Sequence, residues 1–193
     1  MQIFRHYEGL PADAQGGVVA IGNFDGVHRG HRAIIEEAGL IARSSLSPWM
    51  VLTFEPHPRS LFRPDSGPFR LTPFAIKARL IEEMGVDHMV VLTFDREFSE
   101  RSAGSFVSDI LIGGLKARHV VSGYDFAFGH KREGTCDLLL TMGKERGFDF
   151  TAVSAVLDEE GNAFSSTRVR DCLRRGDPRG AAKVLGRSFE IEC

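Results

Sequence analysis

Residues 18–34 constrain this chain more than any other stretch. Val18, Val19, Ala20 and Ile21 form a short apolar run that reads as a buried strand. Gly22, Gly26 and Gly30 make the following turn unusually rich in glycine. Ile34, Ile35, Ala38 and Ile41 then recur at helical spacing. A strand, a glycine turn and a helix are the opening of a strand–helix–strand unit, which calls for a parallel sheet. The helix start suits a phosphate: its first N–H groups are free, its dipole favours an anion, and glycines let a ligand approach the backbone. His28 and His31, three residues apart, lie on one side of that helix start. The pair fits metal ligation, a packed core, or hydrogen bonding to phosphate oxygens. A metal would want a third Cys, His or carboxylate ligand, and none stands nearby.

The rest of the chain continues the alternation. A short strand is expected over residues 2–7. Further strands are expected over 49–54, 86–94, 117–122 and 148–156, and helices over 73–84, 98–112, 135–146, 166–175 and 177–185. Thr72 reads as a helix cap with Pro73 in the first turn, and Gly85 as the stop. Residues 55–58, Glu-Pro-His-Pro, end their strand sharply. Residues 59–70 read as a mobile loop, and 158–162 as a tight turn. The fold expected is an α/β, Rossmann-like, five-stranded and mainly parallel sheet with helices on both faces. In such a sheet ligands bind beyond the carboxyl ends of the strands, where strand order reverses. Residues 22–31, 55–62 and 123–132 begin at those ends and share an unusual composition, which points to one site.

The 193 residues, 42% hydrophobic and 26% charged, suit a single soluble domain with a substantial core. A net charge of −2 supplies no broad field for nucleic acid or an anionic membrane, so a phosphate ligand must be held by local groups. Cys136, Cys172 and Cys193 have no metal or redox spacing and suit a reducing compartment. The N-terminus has no apolar signal core and no apolar run approaches membrane-spanning length, so a cytoplasmic protein is expected.

Two further stretches carry chemistry. Ser165, Ser166 and Thr167 precede Arg168 and Arg170 at a helix start. They read either as a capped surface helix with solvated arginines or as a phosphate cradle, the latter favoured beside the glycine–histidine loop. Phe54, Phe62, Phe126 and Phe128 offer flat apolar surface on which an aromatic ring can stack, although Phe54 also suits the core. Asp125 can accept from a ribose hydroxyl or a ring N–H. Lys131 and Arg132 suit a phosphate or solvent equally. With no nucleophile evident, positioning and charge neutralisation would drive direct in-line attack at phosphorus.

The motif Gly22-x-Phe24-Asp25-Gly26-x-His28-x-Gly30-His31 resembles the H-x-G-H nucleotidyltransferase signature in the form used by bacterial FAD synthetases. Phe54-Glu-Pro-His-Pro58, Gly123-Tyr-Asp-Phe-x-Phe-Gly129, Arg132-x-Gly134, Ser165-Ser-Thr-x-x-Arg170 and Leu185-Gly-Arg187 agree in order and spacing. The resemblance implies transfer of AMP from ATP to FMN, giving FAD and pyrophosphate with Mg²⁺. It implies that His28, His31 and Arg170 are catalytic. ATP would be bound by Gly22, Asn23, Phe24, Asp25, Gly26, His28, His31, Gly123, Asp125, Ser165, Ser166, Thr167 and Arg170. FMN would be framed by Phe54, Pro56, His57, Pro58, Phe62, Asp125, Phe126, Phe128 and Arg132. Mg²⁺ would be held mostly by phosphate oxygens and water, with no protein ligand assigned.

Bacterial members usually continue from Leu-Gly-Arg-Pro into a riboflavin kinase module. Here Ser188 replaces that proline and Cys193 ends the sequence. Residues 1–187 are therefore expected to be the nucleotidyltransferase domain and 188–193 a frayed tail, without kinase activity. Two other readings stand beside this one: nucleotidyl transfer to another phosphate ester, and a catalytically silent flavin- or nucleotide-binding module.

Overall fold

The computed structural model describes residues 1–62 and 69–191. The strands are β1 (Gln2–Phe4), β2 (Val18–Ile21), β3 (Trp49–Glu55), β4 (His88–Thr93), β5 (His119–Gly123) and β6 (Asp149–Val153). They form one sheet in the order β1-β4-β3-β2-β5-β6, with every pairing parallel. The sheet therefore has six strands rather than the five expected. The sixth is the three-residue β1, which adds at the edge beside β4.

The central strands are continuous apolar runs because both of their faces are covered. Their side chains divide by alternation. Val19, Ile21, Met50, Leu52, Phe54, Val90, Leu92 and Val120 enter one core, and Val18, Ala20, Val51, Met89, Val91 and Val121 enter the other. The second core is closed by α1 (Arg29–Ser44), through Ile35, Ala38 and Ala42. Gly39 is needed there, because a Cβ at that position would lie 2.6 Å from the Trp49 ring. The Trp49 Nε1–H donates to the Ile35 carbonyl at 3.0 Å, fixing helix to strand.

Other helices depart from expectation. A short α2 (Pro58–Phe62) opens the stretch expected to be a mobile loop, and residues 63–68 of that stretch lie outside the described residues. The next helix, α3 (Phe74–Glu82), is capped by Pro73 without a side-chain bond. Thr72 is not the cap: its hydroxyl instead accepts the Gly26 N–H at 2.7 Å. The single helix expected over 98–112 is broken. Asp95 caps α4 (Arg96–Ser99), and Ser102 caps α5 (Ala103–Ser105), which runs into a π-helix, Phe106–Gly114. Both caps satisfy N–H groups that a continuous helix would have bonded internally.

α6 (Cys136–Arg146) covers the first core through Leu139. α7 (Ser166–Arg174) and α8 (Pro178–Leu185) pack on each other and on Leu71, making a small third core with Val169, Cys172, Ala181, Val184 and Leu185. The described part of the tail is tethered, not frayed: Phe189 packs on that third core and Glu190 pairs with Arg79. Residues 192–193, including Cys193, lie outside the described residues.

The topology places the site. From β2 the chain moves one way to β3 and later returns to β5 on the other side. The crevice beyond the ends of β2 and β5 is the point where strand order reverses.

Candidate active site

Two cavities lie beyond the carboxyl ends of the strands and share a wall. The first has a volume of about 380 Å³ and opens at the switch point, bordered by the loop after β2, the start of α1, the end of β5, residues 153–156 and the start of α7. The second, about 740 Å³, is lined by seven phenylalanines, with Arg59, Arg96, Lys131 and Arg132 among its charged residues. Asn23, His57, Phe126, Ala127 and Arg132 face both cavities.

The histidines stand in the first cavity. His28 is the N-cap of α1, and its Nδ1 accepts the His31 N–H at 3.2 Å. A neutral His28 ring therefore carries its proton on Nε2. The His31 ring stacks on it, centroids 3.6 Å apart and 22° from parallel, and meets the Phe24 ring edge-on at 5.4 Å. A Cβ at Gly30 would lie 3.0 Å from the Phe164 carbonyl and 3.2 Å from the His28 ring, so only glycine leaves His28 in place.

Burial, and secondarily the Arg170 charge, push His28 down to about 4. Burial and then the charges of His28, Lys77, Arg170 and His57 hold His31 well below its ordinary range. Burial is also the largest cause that brings His57 to about 4: Asp25 pulls it up, while Arg170, Lys77 and Arg59 push it down. The three rings are thus neutral at pH 7. The unfolded chain titrates them near 6.5, so below that pH it binds more protons than the folded chain and stability falls. Each such ring can contribute a slope of up to about 1.4 kcal/mol per pH unit. A falling Tm between pH 6.5 and 5.5, above the range in which ordinary carboxylates titrate, is expected in calorimetry, and His57→Gln should reduce the slope. A Tm that is flat across this window would sink the assignment of neutral, buried rings.

Asp25 is 4% exposed and does not face open solvent. Its carboxylate accepts from the Leu71 N–H at 2.9 Å, from the Thr72 N–H at 3.0 Å, and from Arg170 Nη2. Arg170 also donates through Nε to the Phe69 carbonyl at 2.7 Å. Ser166 Oγ donates to the Asp25 carbonyl at 2.7 Å, and Ser165 caps α7 by accepting the Arg168 N–H. Thr167 is exposed at the cavity rim. Both readings of the hydroxyl stretch therefore hold together: it caps a helix and it lines the cavity.

The structure gathers most of the expected residues. Gly22, Asn23, Phe24, Asp25, His28, His31, Gly123, Asp125, Ser165, Ser166, Thr167 and Arg170 border the first cavity. Phe24, however, is fully buried and backs His31. Gly26 borders neither cavity, because its N–H is taken by Thr72 and its carbonyl by Arg187 at 3.1 Å. Phe54, His57, Pro58, Phe62, Phe126, Phe128 and Arg132 border the second cavity. Pro56 is exposed and borders neither, and Asp125 belongs to the first cavity alone.

Sequence reasoning missed Phe94, Phe98 and Phe106, which complete the aromatic wall of the second cavity. It also missed Lys77, 2% exposed, whose Nζ reaches Glu55 at 2.6 Å and the Asn23 carbonyl at 3.2 Å. A lysine among Ala78, Leu80 and Ile81 on the buried side of α3 was the available signal.

A switch-point crevice, a helix start carrying two histidines and an adjoining aromatic chamber place this chain among Rossmann-like α/β proteins. Residues 10–168 match the family model described as FAD synthetase, and the chain belongs to that family. It is 41% identical over 192 residues to the bifunctional riboflavin kinase/FMN adenylyltransferase of Escherichia coli K12, covering 99% of this chain and 61% of that protein. The protein of the same description from Pseudomonas fluorescens is 40% identical over 191 residues, with the same coverage. The chain thus spans about three fifths of the length of these relatives. Among solved structures, a Streptococcus pneumoniae protein described as a macrolide-efflux protein superposes with a TM-score of 0.82 at 28% identity, covering 97% of this chain and 70% of that one. No helix among the described residues is long and apolar enough to cross a membrane. A pantoate–β-alanine ligase from Francisella tularensis shares the fold alone, with a TM-score of 0.56 at 13% identity.

Proposed function

We propose that this chain transfers AMP from ATP to the phosphate of FMN, giving FAD and pyrophosphate. The observation that carries this reading is the pair of joined cavities: histidines, hydroxyls and two arginines border one, and phenylalanines border the other. Their volumes lie in the range of small-molecule sites. A triphosphate suits the first and a flat, apolar ring system suits the second. Relatives 41% and 40% identical carry FMN adenylyltransferase in their descriptions, which supports the same choice.

In this reaction an oxygen of the FMN phosphate attacks the α-phosphorus of ATP. The bond from that phosphorus to the α,β-bridging oxygen breaks, and its electron pair leaves with pyrophosphate. The protein positions the partners and stabilises charge on the transferring phosphoryl group. His28, with its proton on Nε2, would donate a hydrogen bond to a phosphate oxygen, and His31 beside it would hold the triphosphate. Ser165, Ser166, Thr167 and Arg170 would hold the phosphates that leave, and Gly123 and Asp125 would lie beside the adenosine. Arg132, common to both cavities, would meet the FMN phosphate, with Phe54, Phe62, Phe126 and Phe128 around the flavin.

Magnesium fits a site of this kind through its substrates. Among the described residues there is no group of three or more His, Cys, Asp or Glu placed to hold a metal, and the Asp25 carboxylate is already shared by protein donors. Phosphate oxygens and water would supply most of its ligands, and the ion would neutralise phosphate charge.

The test is direct. Incubation with ATP, Mg²⁺ and FMN should yield FAD and pyrophosphate in equal amounts. FMN binding without turnover would point instead to a silent module, and turnover only with a non-flavin phosphate ester would reassign the acceptor. Cys136 and Cys172 are free thiols, which supports work in a reducing cytoplasm.

A further inference from the structure

The cradle around Arg170 is held by one carboxylate. Asp25 sits in the loop after β2, and two sequence-distant segments, residues 69–72 and the start of α7, converge on it and on Gly26. Its Oδ1 accepts the Leu71 N–H at 2.9 Å and the Thr72 N–H at 3.0 Å, while its Oδ2 accepts from Arg170 Nη2. The backbone carries the same tie: Ser166 Oγ donates to the Asp25 carbonyl at 2.7 Å, and the Gly26 N–H donates to Thr72 Oγ1 at 2.7 Å. Arg170 is fixed at a second point, through Nε on the Phe69 carbonyl at 2.7 Å. We infer that Asp25 is a positioning residue: it orients Arg170 and ties the 69–72 segment to the nucleotide loop, and it does not itself bind the nucleotide or its cation.

The geometry makes this role specific. A carboxylate offers about four lone-pair sites, and three protein donors already occupy this one in a place that is 4% exposed. A guanidinium carries its five donors in a rigid plane, so fixing Nε and Nη2 fixes the plane in which the remaining donors lie. A preset plane lets the arginine meet phosphate oxygens without first surrendering side-chain freedom. The two oxygens of Asp25 divide the work. Oδ1 takes the shorter backbone bonds, while Oδ2 takes the arginine and a longer 3.2 Å bond from the Leu71 N–H, so Asp25→Asn with its amide nitrogen in the Oδ2 place severs the arginine link and keeps the Oδ1 bonds to Leu71 and Thr72.

This inference rests on the ATP-site reading given above, and its test is arranged to be separable from it. A double-mutant cycle of Asp25→Asn, Arg170→Gln and the pair is measured both by equilibrium binding of ATP and by FAD formation. Asp25→Asn should raise the ATP Kd and KM on the order of 10-fold, with the FMN KM unchanged. Arg170→Gln should weaken ATP further. The double variant should be no weaker than Arg170→Gln alone, because one residue acts through the other. Losses that multiply in the double variant overturn the assignment, as does an unchanged ATP Kd in Asp25→Asn. Should wild-type chain bind ATP and yet make no FAD, the function proposed above fails while the binding cycle still decides this inference. A crystal structure of the wild-type chain with ATP and Mg²⁺ decides it without any variant. The Asp25 carboxylate should remain on Arg170, Leu71 and Thr72; a carboxylate found on the nucleotide or its magnesium ion overturns the proposal.

Discussion

Alanine in place of His31 is expected to lower FAD formation by on the order of 10²- to 10³-fold, the usual loss when a preorganised donor to a developing charge is removed. The same loss is expected for His28. The two variants differ in their structural side effects. His28 caps α1 through Nδ1, so His28→Ala also removes a helix cap, at a cost of about 1 kcal/mol. Asparagine separates the roles. Its side-chain oxygen is a good N-cap and can accept the His31 N–H, but it has no imidazole Nε2 to offer the cavity. His28→Asn should therefore keep the wild-type Tm within a few degrees and still lose the turnover. The rings are neutral at pH 7, so their contribution to the rate should be flat from pH 6 to 9 rather than follow an ordinary histidine titration. His28→Asn and His31→Ala that both turn over within threefold of wild type would remove the pair from the mechanism. Loss of activity together with loss of the folded transition would leave only a packing role.

The site was legible in the sequence where chemistry and backbone demand the same residues. Glycines and histidines at the end of an apolar strand suit a tight turn and a polar ligand better than a core, and the loop after β2 that carries them borders the first cavity. The hydroxyls before Arg168 and Arg170 were legible for the same reason. Elsewhere a residue's type concealed its use. Phe94, Phe98 and Phe106 read as core in sequence because phenylalanine in an apolar segment usually is core, and only the packing of β4, α4 and the π-helix reveals the wall they form. Asp25 lay inside the nucleotide motif, and its side chain is engaged by Leu71, Thr72 and Arg170, partners 46 to 145 residues away. The sheet was legible from alternation, and the short strand expected over residues 2–7 is present, although only Gln2–Phe4 of it pairs with β4. The broken helix was hidden in Ser102, a residue that bonds the Ser105 N–H and so ends one turn while starting another.

Phenylalanine truncations on the second cavity should divide into two kinds, and the division tests whether that cavity receives the acceptor ring. Phe106 is 2% exposed and packs against Phe128 at 5.2 Å and Phe54 at 6.3 Å between ring centroids. Removing its ring leaves a void that the π-helix and β3 cannot fill, so Phe106→Ala should cost about 3–5 kcal/mol of stability. For a chain of this length that is a fall in Tm of roughly 6–20 °C. Phe62 is 65% exposed at the end of α2, with the Phe94 ring 6.1 Å away between centroids. Phe62→Ala should change stability by less than about 0.5 kcal/mol. Its loss should appear in binding instead. An aromatic contact contributes about 0.5–1.5 kcal/mol beyond area burial, which predicts an FMN KM raised roughly 2- to 13-fold with the ATP KM unchanged. Together the variants distinguish a chamber that holds an aromatic acceptor from a hydrophobic hollow that merely adjoins the nucleotide. If Phe62→Ala leaves the FMN KM untouched, the flavin does not lie on that wall. If it raises both substrates' KM values equally, Phe62 acts through the shape of the whole site, and the acceptor ring must be sought deeper, among Phe126, Phe128 and Phe98.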